Sequence, residues 1–330
     1  MSLASSMLNW HPHSSVWIVM GGVLTFFWWA ITRLGPTLVE PGAEVISRRQ
    51  QGWIVAGVAW TWIFADYPIH DISEKYLFLV HMVQHTVFTL VAPACFLLGA
   101  PIWLWKWALH PRVVRGLVRF LTKPLVALLV FNALVVITHL PQVVQASVTS
   151  EWFHFLAHLV LFSSATLMWV PVINRTDLLP RLKTPTKMVY LFAQSIVPTV
   201  PASFLTFAEK PMYQHYADAP RFIAGLSARA DQQWAAVMMK LGAGTLLWSI
   251  VGYLFVQWWK DSQAGLADDN VRPIVTRDPG PLGDGVLTWD QVQAEFVRLD
   301  RAAPDPAPDS DGPHRGPGAH PSRPPGPPGA

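Results

Sequence analysis

Two pairs of histidines stand in apolar stretches, where their type and spacing could bind a metal ion. His81 and His85 lie four residues apart, and His154 and His158 repeat that spacing in another stretch. On an α-helix, residues four apart project from one face, with side chains about 6 Å apart. Ionisable groups inside a membrane are costly and usually face the interior of a helix bundle. The two pairs therefore predict a metal site at which imidazoles from two helices converge.

Other residues could complete or support such a site. Met82 offers a thioether, which would favour Cu(I), so copper is the metal we expect. His139 lies at the end of another apolar run, and Asp231 and Gln232 open the last run, where they could bind the ion or hydrogen-bond its ligands. Because Cys95 is the single cysteine, a site made of thiolates alone is excluded.

The composition indicates a membrane protein. Of the 330 residues, 52% are hydrophobic and only 14% are charged, which differs strongly from a soluble globular average. Several apolar runs approach the roughly 20 residues that a helix needs to cross a bilayer. The formal charge of +3 is too small to indicate nucleic acid as a partner. We therefore expect membrane lipid, and no nucleic acid, around this chain.

The apolar runs predict an all-α bundle of seven transmembrane helices, formed by residues 16–260. The runs cover residues 16–32, 53–64, 75–101, 124–139, 152–173, 188–207 and 234–259. Residues 1–15 would form a short extracytoplasmic segment. Residues 261–330 are rich in proline, glycine and aspartate, and this composition predicts a largely disordered cytoplasmic tail. Within the tail, residues 287–301 have the pattern of one short amphipathic helix.

Loop charges predict the orientation. Basic residues are retained on the cytoplasmic side, and the loops after the first, third and fifth runs contain most of the arginines and lysines. The N-terminus would then lie outside and the C-terminus in the cytoplasm. This orientation places both histidine pairs and His139 near the outer surface of the membrane.

Four stretches also occur here in a characteristic order: HMVQH with TLVAPACFLLGAP, HFLAHLVLFSSATLMWVPVI, TFAEKPMYQHY and GLSARADQQWAAVMMK. Together they resemble the signature segments of the CtaG-type cytochrome c oxidase assembly proteins, the family named for the caa-type oxidase. The similarity extends over about residues 15–260. Lys240 departs from the apolar or aromatic residue of the family pattern, and the proline-rich tail lies outside it.

The resemblance implies a multi-pass plasma-membrane factor that helps to mature a copper-containing terminal oxidase. It would supply copper to oxidase subunit I or II, taken from an extracytoplasmic copper donor, and would have no catalytic activity of its own. The family's histidine motifs fall on His81 with His85 and on His154 with His158. Its aspartate-glutamine motif falls on Asp231 and Gln232.

Three alternatives stay open on the sequence alone. A bis-histidine haem protein also uses histidines from facing helices. A zinc-dependent intramembrane hydrolase needs a general base, and the sequence has no HExxH motif and places Glu151 beside the second pair. A scaffold for oxidase assembly would need no metal.

Overall fold

The computed structural model of the chain describes residues 13–263 together with Gln293, Ala294 and Arg298. Within these residues every regular element is helical, which confirms the predicted all-α class. Most of the predicted extracytoplasmic segment and nearly all of the predicted tail lie outside the described residues. The three described positions within the predicted short helix 287–301 are helical.

We number the helices in chain order and treat helices that continue through a π-helical turn or a bend as one. They are α1 (Ser14–Leu38), α2 (Arg48–Ala65), α3 (Ile69–Lys75), α4 (Phe78–Gly99), α5 (Ile102–Ala108), α6 (Arg112–Leu121), α7 (Pro124–Thr138), α8 (Pro141–Thr149), α9 (Glu151–Ile173), α10 (Thr184–Phe207), α11 (Gln214–Asp218) and α12 (Ala228–Gln263).

Five of these helices, α1, α4, α9, α10 and α12, are long and apolar enough to cross a membrane. The described part of the chain has a sixth candidate if α6 and α7, which meet at an angle of 76°, form one broken span. The predicted second span lies on α2, which falls short because it opens on the polar sequence RRQQ. The chain is thus a multi-span helical membrane protein with five or six candidate spans in this region.

The start of α4 is fixed by a residue 153 positions further along the chain. Asp231 is 2% exposed, and its carboxylate accepts hydrogen bonds from the backbone N–H groups of Phe78 at 2.8 Å and Leu79 at 3.0 Å. These are donors that the first turn of a helix leaves without partners, and a negative charge there also interacts favourably with the helix dipole. The first turn of α12 therefore positions the first turn of α4.

Helix α2 packs antiparallel against α4 at short distance. A Cβ atom added to Gly57 would lie 3.3 Å from Cys95 Cβ, and one added to Gly99 would lie 3.0 Å from the backbone oxygen of Gln50. At the other end, the Gln84 amide donates to the carbonyl of Phe64 at 2.5 Å. The two helices stay in contact along most of α4 because glycines allow this close approach.

A central core connects α4 with α7, α9, α10 and α12. Trp169 is 1% exposed, and its indole N–H donates to the carbonyl of Thr89 at 3.1 Å. Asn132 on α7 donates to the Gln194 side chain on α10 at 2.6 Å. Hydrogen bonds between buried polar groups fix the relative rotation of helices that apolar contacts alone would leave free.

Replacing Gly99 with alanine should destabilise the fold. The new Cβ would lie 2.6 Å from Ile54 Cγ1 and 2.9 Å from the Ile54 backbone nitrogen, so a backbone shift is needed. We expect a loss of about 1–3 kcal/mol in the free energy of unfolding in detergent. Gly52→Ala is the matched control, since nothing lies within 4 Å of its added Cβ. The control should be neutral or stabilising by up to about 1 kcal/mol, and equal effects of both substitutions would contradict the packing described.

Replacing Asp231 with alanine should destabilise the start of α4. Two buried backbone N–H groups would lose their acceptor, which corresponds to about 1–3 kcal/mol of unfolding free energy. Thermal unfolding in detergent measures this loss. Asp218→Ala is the control, because Asp218 accepts its hydrogen bonds from an exposed side chain, that of Gln214. If the two variants unfolded at the same temperature, Asp231 would not hold α4 in place.

Candidate metal centre

Three imidazoles meet between α4 and α9. His81, His85 and His158 each offer one ring nitrogen, and these three atoms lie within 4.8 Å of one another. The ring centroids of His81 and His85 are 4.3 Å apart, and those of His85 and His158 are 5.0 Å apart. We call this group the imidazole site. A metal ion with three nitrogen ligands would draw these atoms closer together, and their spacing makes the group a candidate for such a site.

Several ring nitrogens here are buried and have no hydrogen-bond partner within the described part of the chain. They are Nδ1 of His81, both ring nitrogens of His85, Nε2 of His139 and Nε2 of His154. A buried polar atom without a partner is costly, and nearly all such atoms in proteins find one. A cluster of unpartnered imidazole nitrogens is therefore an arrangement that a bound cation would stabilise.

His154 is oriented by a carboxylate from α3. Its Nδ1 lies 3.1 Å from Glu74 Oε1 and 3.1 Å from the Ser147 hydroxyl. A proton on Nδ1 then donates to Glu74 and leaves the lone pair on Nε2, the usual way in which a carboxylate sets the tautomer of a metal-binding histidine. The ring centroids of His154 and His158 are 4.4 Å apart. His154 thus adjoins the imidazole site with a free nitrogen.

His139 adjoins the site from the opposite side. It follows the last residue of α7, and its Nδ1 lies 2.6 Å from the carbonyl of Val135, so this nitrogen donates and Nε2 keeps its lone pair. The His139 and His85 ring centroids are 5.8 Å apart. The structure therefore brings together all five histidines predicted from the sequence.

A second group of possible ligands lies beside the first. His70, Glu74 and His154 offer ligand atoms within 4.8 Å of one another, and His70 Nε2 lies 3.3 Å from Glu74 Oε2. The Gln84 amide donates to His70 Nδ1 at 3.0 Å, and the Ser73 hydroxyl donates to Gln84 Oε1 at 3.0 Å. One buried glutamine thus fixes the ring of His70 relative to α4.

The pKa values of three ionisable residues on α3 are shifted by burial and by their neighbours. Burial, together with the neighbouring His154 and His13, lowers the pKa of His70 to about 3, so this ring is neutral at physiological pH. Burial also raises the pKa of Glu74. Asp71 differs: burial acts to raise its pKa, but hydrogen bonds from Lys75 and His13 outweigh burial and lower it. Neutral imidazoles beside a carboxylate are ready to bind a cation without first losing a proton.

A groove leads from the start of α1 to these histidines. The backbone N–H of His13 donates to Asp66 at 2.9 Å, and its ring lies 2.8 Å from Asp71 and 4.7 Å from the His70 ring centroid. The groove wall includes His13, His70 and Glu74 together with His154 and His158. Histidine side chains therefore extend from the groove to the imidazole site.

The other predicted site residues occupy different positions. Met82 is 2% exposed and lines a cavity together with His85 and His139. Asp231 accepts the two N–H groups at the start of α4. Gln232 accepts from the Met212 N–H at 2.7 Å and donates to the Leu205 carbonyl at 3.0 Å. Both α12 residues thus hold neighbouring segments, and neither belongs to the groups of possible ligands.

Sequence reasoning did not single out Glu74 and His70. It pointed to Glu151 as the carboxylate beside the pairs, whereas in the structure Glu74 contacts His154 and Glu151 lies on the groove wall. The spacing from His70 to Glu74 is also four residues, so the same helical rule could have identified them. Their proximity to α9, however, depends on how α3 folds back over α4.

Comparison with known proteins gives one match. The family described as cytochrome c oxidase caa3 assembly factor matches residues 25–261 of the chain. No curated protein and no solved structure matches the chain. The matched region contains the imidazole site, His70, Glu74, His139 and His154.

The pKa of His70 predicts a dependence of stability on pH. Between pH 6.5 and about 3 the unfolded chain takes up a proton on His70 that the folded chain does not. This residue therefore destabilises the fold progressively as the pH falls through that range, by up to about 1.4 kcal/mol per pH unit. In His70→Gln the unfolding free energy in detergent should depend less steeply on pH. The exposed His110→Gln is the control, and identical slopes for His70→Gln and wild type would contradict the burial of a neutral ring.

Proposed function

This chain belongs to the cytochrome c oxidase caa3 assembly factor family, and from that premise we propose that it delivers copper to the oxidase during assembly. The copper would be cargo, held at the imidazole site by His81, His85 and His158. The observation that supports this proposal is the convergence of three imidazoles, at which buried nitrogens of His81 and His85 have no hydrogen-bond partner among the described residues. The copper would pass to oxidase subunit I or II in the plasma membrane.

Imidazoles suit a cargo ion for a chemical reason. Neutral histidine binds copper without any net charge on the ligand set, and each ring can leave the ion singly. A closed cage of thiolates would hold Cu(I) more tightly and release it more slowly. His154 and His139 flank the site with free Nε2 atoms, so an incoming or outgoing ion meets a nitrogen at each step.

The distribution of charge supports binding from the outer side. The acidic and histidine residues of α3 lie at the end of α4 that contains His81, whereas Arg48 and Arg49 start α2 at the Gly99 end. The basic helix α6 follows the Gly99 end of α4 in the chain, after the short helix α5. Because basic residues are retained in the cytoplasm, the histidine end would face outward and receive copper from an extracytoplasmic donor.

Seven spans remain our proposal for the membrane domain. Helix α2 has 18 residues and contacts α4 from Gly99 back to Gln84, which is most of the length of a helix that qualifies as a span. A helix that accompanies a span over that distance crosses most of the bilayer with it. Counting α2, and α6 with α7, brings the total to seven.

The packing does not favour a haem protein. Three rings share the space between the two histidine pairs: the His85 ring centroid lies 4.3 Å from that of His81 and 5.0 Å from that of His158. A porphyrin held by two histidines would lie between their rings and would need a flat gap there. A third imidazole so close to both rings favours a single ion among them.

The position of Glu74 does not favour a zinc hydrolase. A general base must be free to take a proton from the metal-bound water. Both oxygens of Glu74 already face imidazoles, Oε1 that of His154 and Oε2 that of His70. We therefore propose a carrier without catalytic activity.

Copper binding by the purified protein tests this proposal. We expect wild-type protein in detergent to retain Cu(I) against a chromogenic chelator under anaerobic conditions. His81→Ala/His158→Ala should bind at least about 100-fold more weakly, because two of three ligands are lost. His110→Ala, an exposed histidine on the basic side, serves as the control and should bind like wild type. Equal copper in wild type and in the double variant would eliminate the imidazole site.

Complementation separates a copper carrier from a metal-free scaffold. In a strain that lacks this protein, wild type should restore oxidase activity and His81→Ala/His158→Ala should not, although both reach the membrane in equal amounts. Added copper should partly restore activity to cells with the double variant. Full activity with the variant at low copper would instead support a scaffold.

A further inference from the structure

A cavity inward of the imidazole site contains an unusual set of side chains. It is lined by three methionines and two histidines, namely Met82, Met168, Met239, His85 and His139. The methionines come from three different helices, α4, α9 and α12. We call this space the thioether cavity. His85 belongs both to it and to the imidazole site.

The remaining wall of the thioether cavity is mainly apolar, with Leu90, Phe131 and Leu247 among its residues. Both ring nitrogens of His85 and Nε2 of His139 are nevertheless buried without a hydrogen-bond partner in the described residues. His139 is 8% exposed, and its other nitrogen is occupied by the Val135 carbonyl. The wall also contains four oxygen-bearing side chains, and these already hydrogen-bond within the protein: Thr86, Thr89, Gln194 and Ser195. Among the described residues of the wall there is no carboxylate, so nitrogen and sulfur supply the available lone pairs.

This donor set selects a class of ion. Thioethers bind soft, monovalent ions such as Cu(I) and bind hard cations weakly. Imidazoles accept either kind, so the methionines decide the preference. The cavity volume is about 60 Å³, enough for one ion or a few water molecules and too small for an organic cofactor.

Two irregular helical turns form part of the same wall. Residues Val87–Val91 of α4 and Met238–Gly242 of α12 are π-helical turns, and they supply Leu90 and Met239 respectively. Such turns are rare and frequently occur at functional sites, because they rotate side chains away from the regular helical pattern. Two of them in the wall of one small cavity indicate that its lining is under functional constraint.

We propose that the thioether cavity is a second Cu(I) site, deeper than the first, to which the imidazole site transfers its ion. This inference rests on the copper-delivery function proposed above. In the transfer, Cu(I) stays bound to His85 while the bonds to His81 and His158 break and bonds to His139 and the methionine sulfurs form. The ion keeps its oxidation state, and no proton or further reactant is required.

X-ray absorption at the copper edge tests the proposal directly, because it distinguishes sulfur from nitrogen ligands. Full-length wild-type protein in detergent, loaded anaerobically with Cu(I), should show both. Met82→Leu/Met168→Leu/Met239→Leu should lose the sulfur contribution and keep the nitrogen contribution. His81→Ala/His158→Ala, loaded with excess Cu(I) because its binding is weaker, should keep the sulfur in the copper that it retains. Met238→Leu replaces the methionine next to Met239, which is not part of the cavity wall, and is the matched control.

Methionine and leucine have similar volumes, so the triple variant should fold, and thermal unfolding checks this. The single variants Met168→Leu and Met239→Leu give a second measure, since each should remove only part of the sulfur contribution. Nitrogen-only copper in wild type, or sulfur that persists in the triple variant, would overturn this inference and leave the imidazole site intact. Wild-type protein that binds no Cu(I) at all would overturn both proposals.

Discussion

The cost of burying unpaired imidazole nitrogens is the constraint on which the rest of this structure depends. In water each ring would find hydrogen-bond partners at once, but inside an apolar helix bundle a ring has only what the protein supplies. The bundle supplies partners for Nδ1 of His154 and His139, and within residues 13–263 it leaves the nitrogens of His85 without any. The arrangement becomes favourable once another species occupies those lone pairs, and this is the physical basis of the copper site proposed above.

The surrounding helices maintain this arrangement. Asp231 fixes the first turn of α4, three residues before His81, and Gln84 on the same helix holds His70 of α3. Close packing of α2 at Gly57 and Gly99 then determines the position of α4 along its length. The site is therefore built on rigid helices, and the polar residues around it set ring orientation.

Much of the site could be predicted from local spacing. The four-residue repeats identified two faces that the structure brings together, and His139 was predicted because it ends an apolar run near the same depth. The role of Asp231 could not be predicted in this way. Its type and position are those of a metal ligand, and only the fold shows that its carboxylate already accepts hydrogen bonds from backbone N–H groups of α4. Glu74 and Met168 were missed because their proximity to the rings arises from packing between segments distant in sequence. The predicted second span illustrates the same limit. Helix α2 begins with a charged turn, and its antiparallel packing along α4 is evident only from the contacts between the two helices.

The hydrogen bonds from Phe78 and Leu79 to Asp231 join residues more than 150 positions apart. Ribosomes make chains from the N-terminus, so α4 enters the membrane long before the segment that caps it has been translated. The helix that contains His81 and His85 therefore gains the hydrogen bonds at its first turn only after α9 and then α12 have been inserted. The proposed copper site is thus among the last parts of the molecule to form, and a chain still being synthesised would not yet hold the ion.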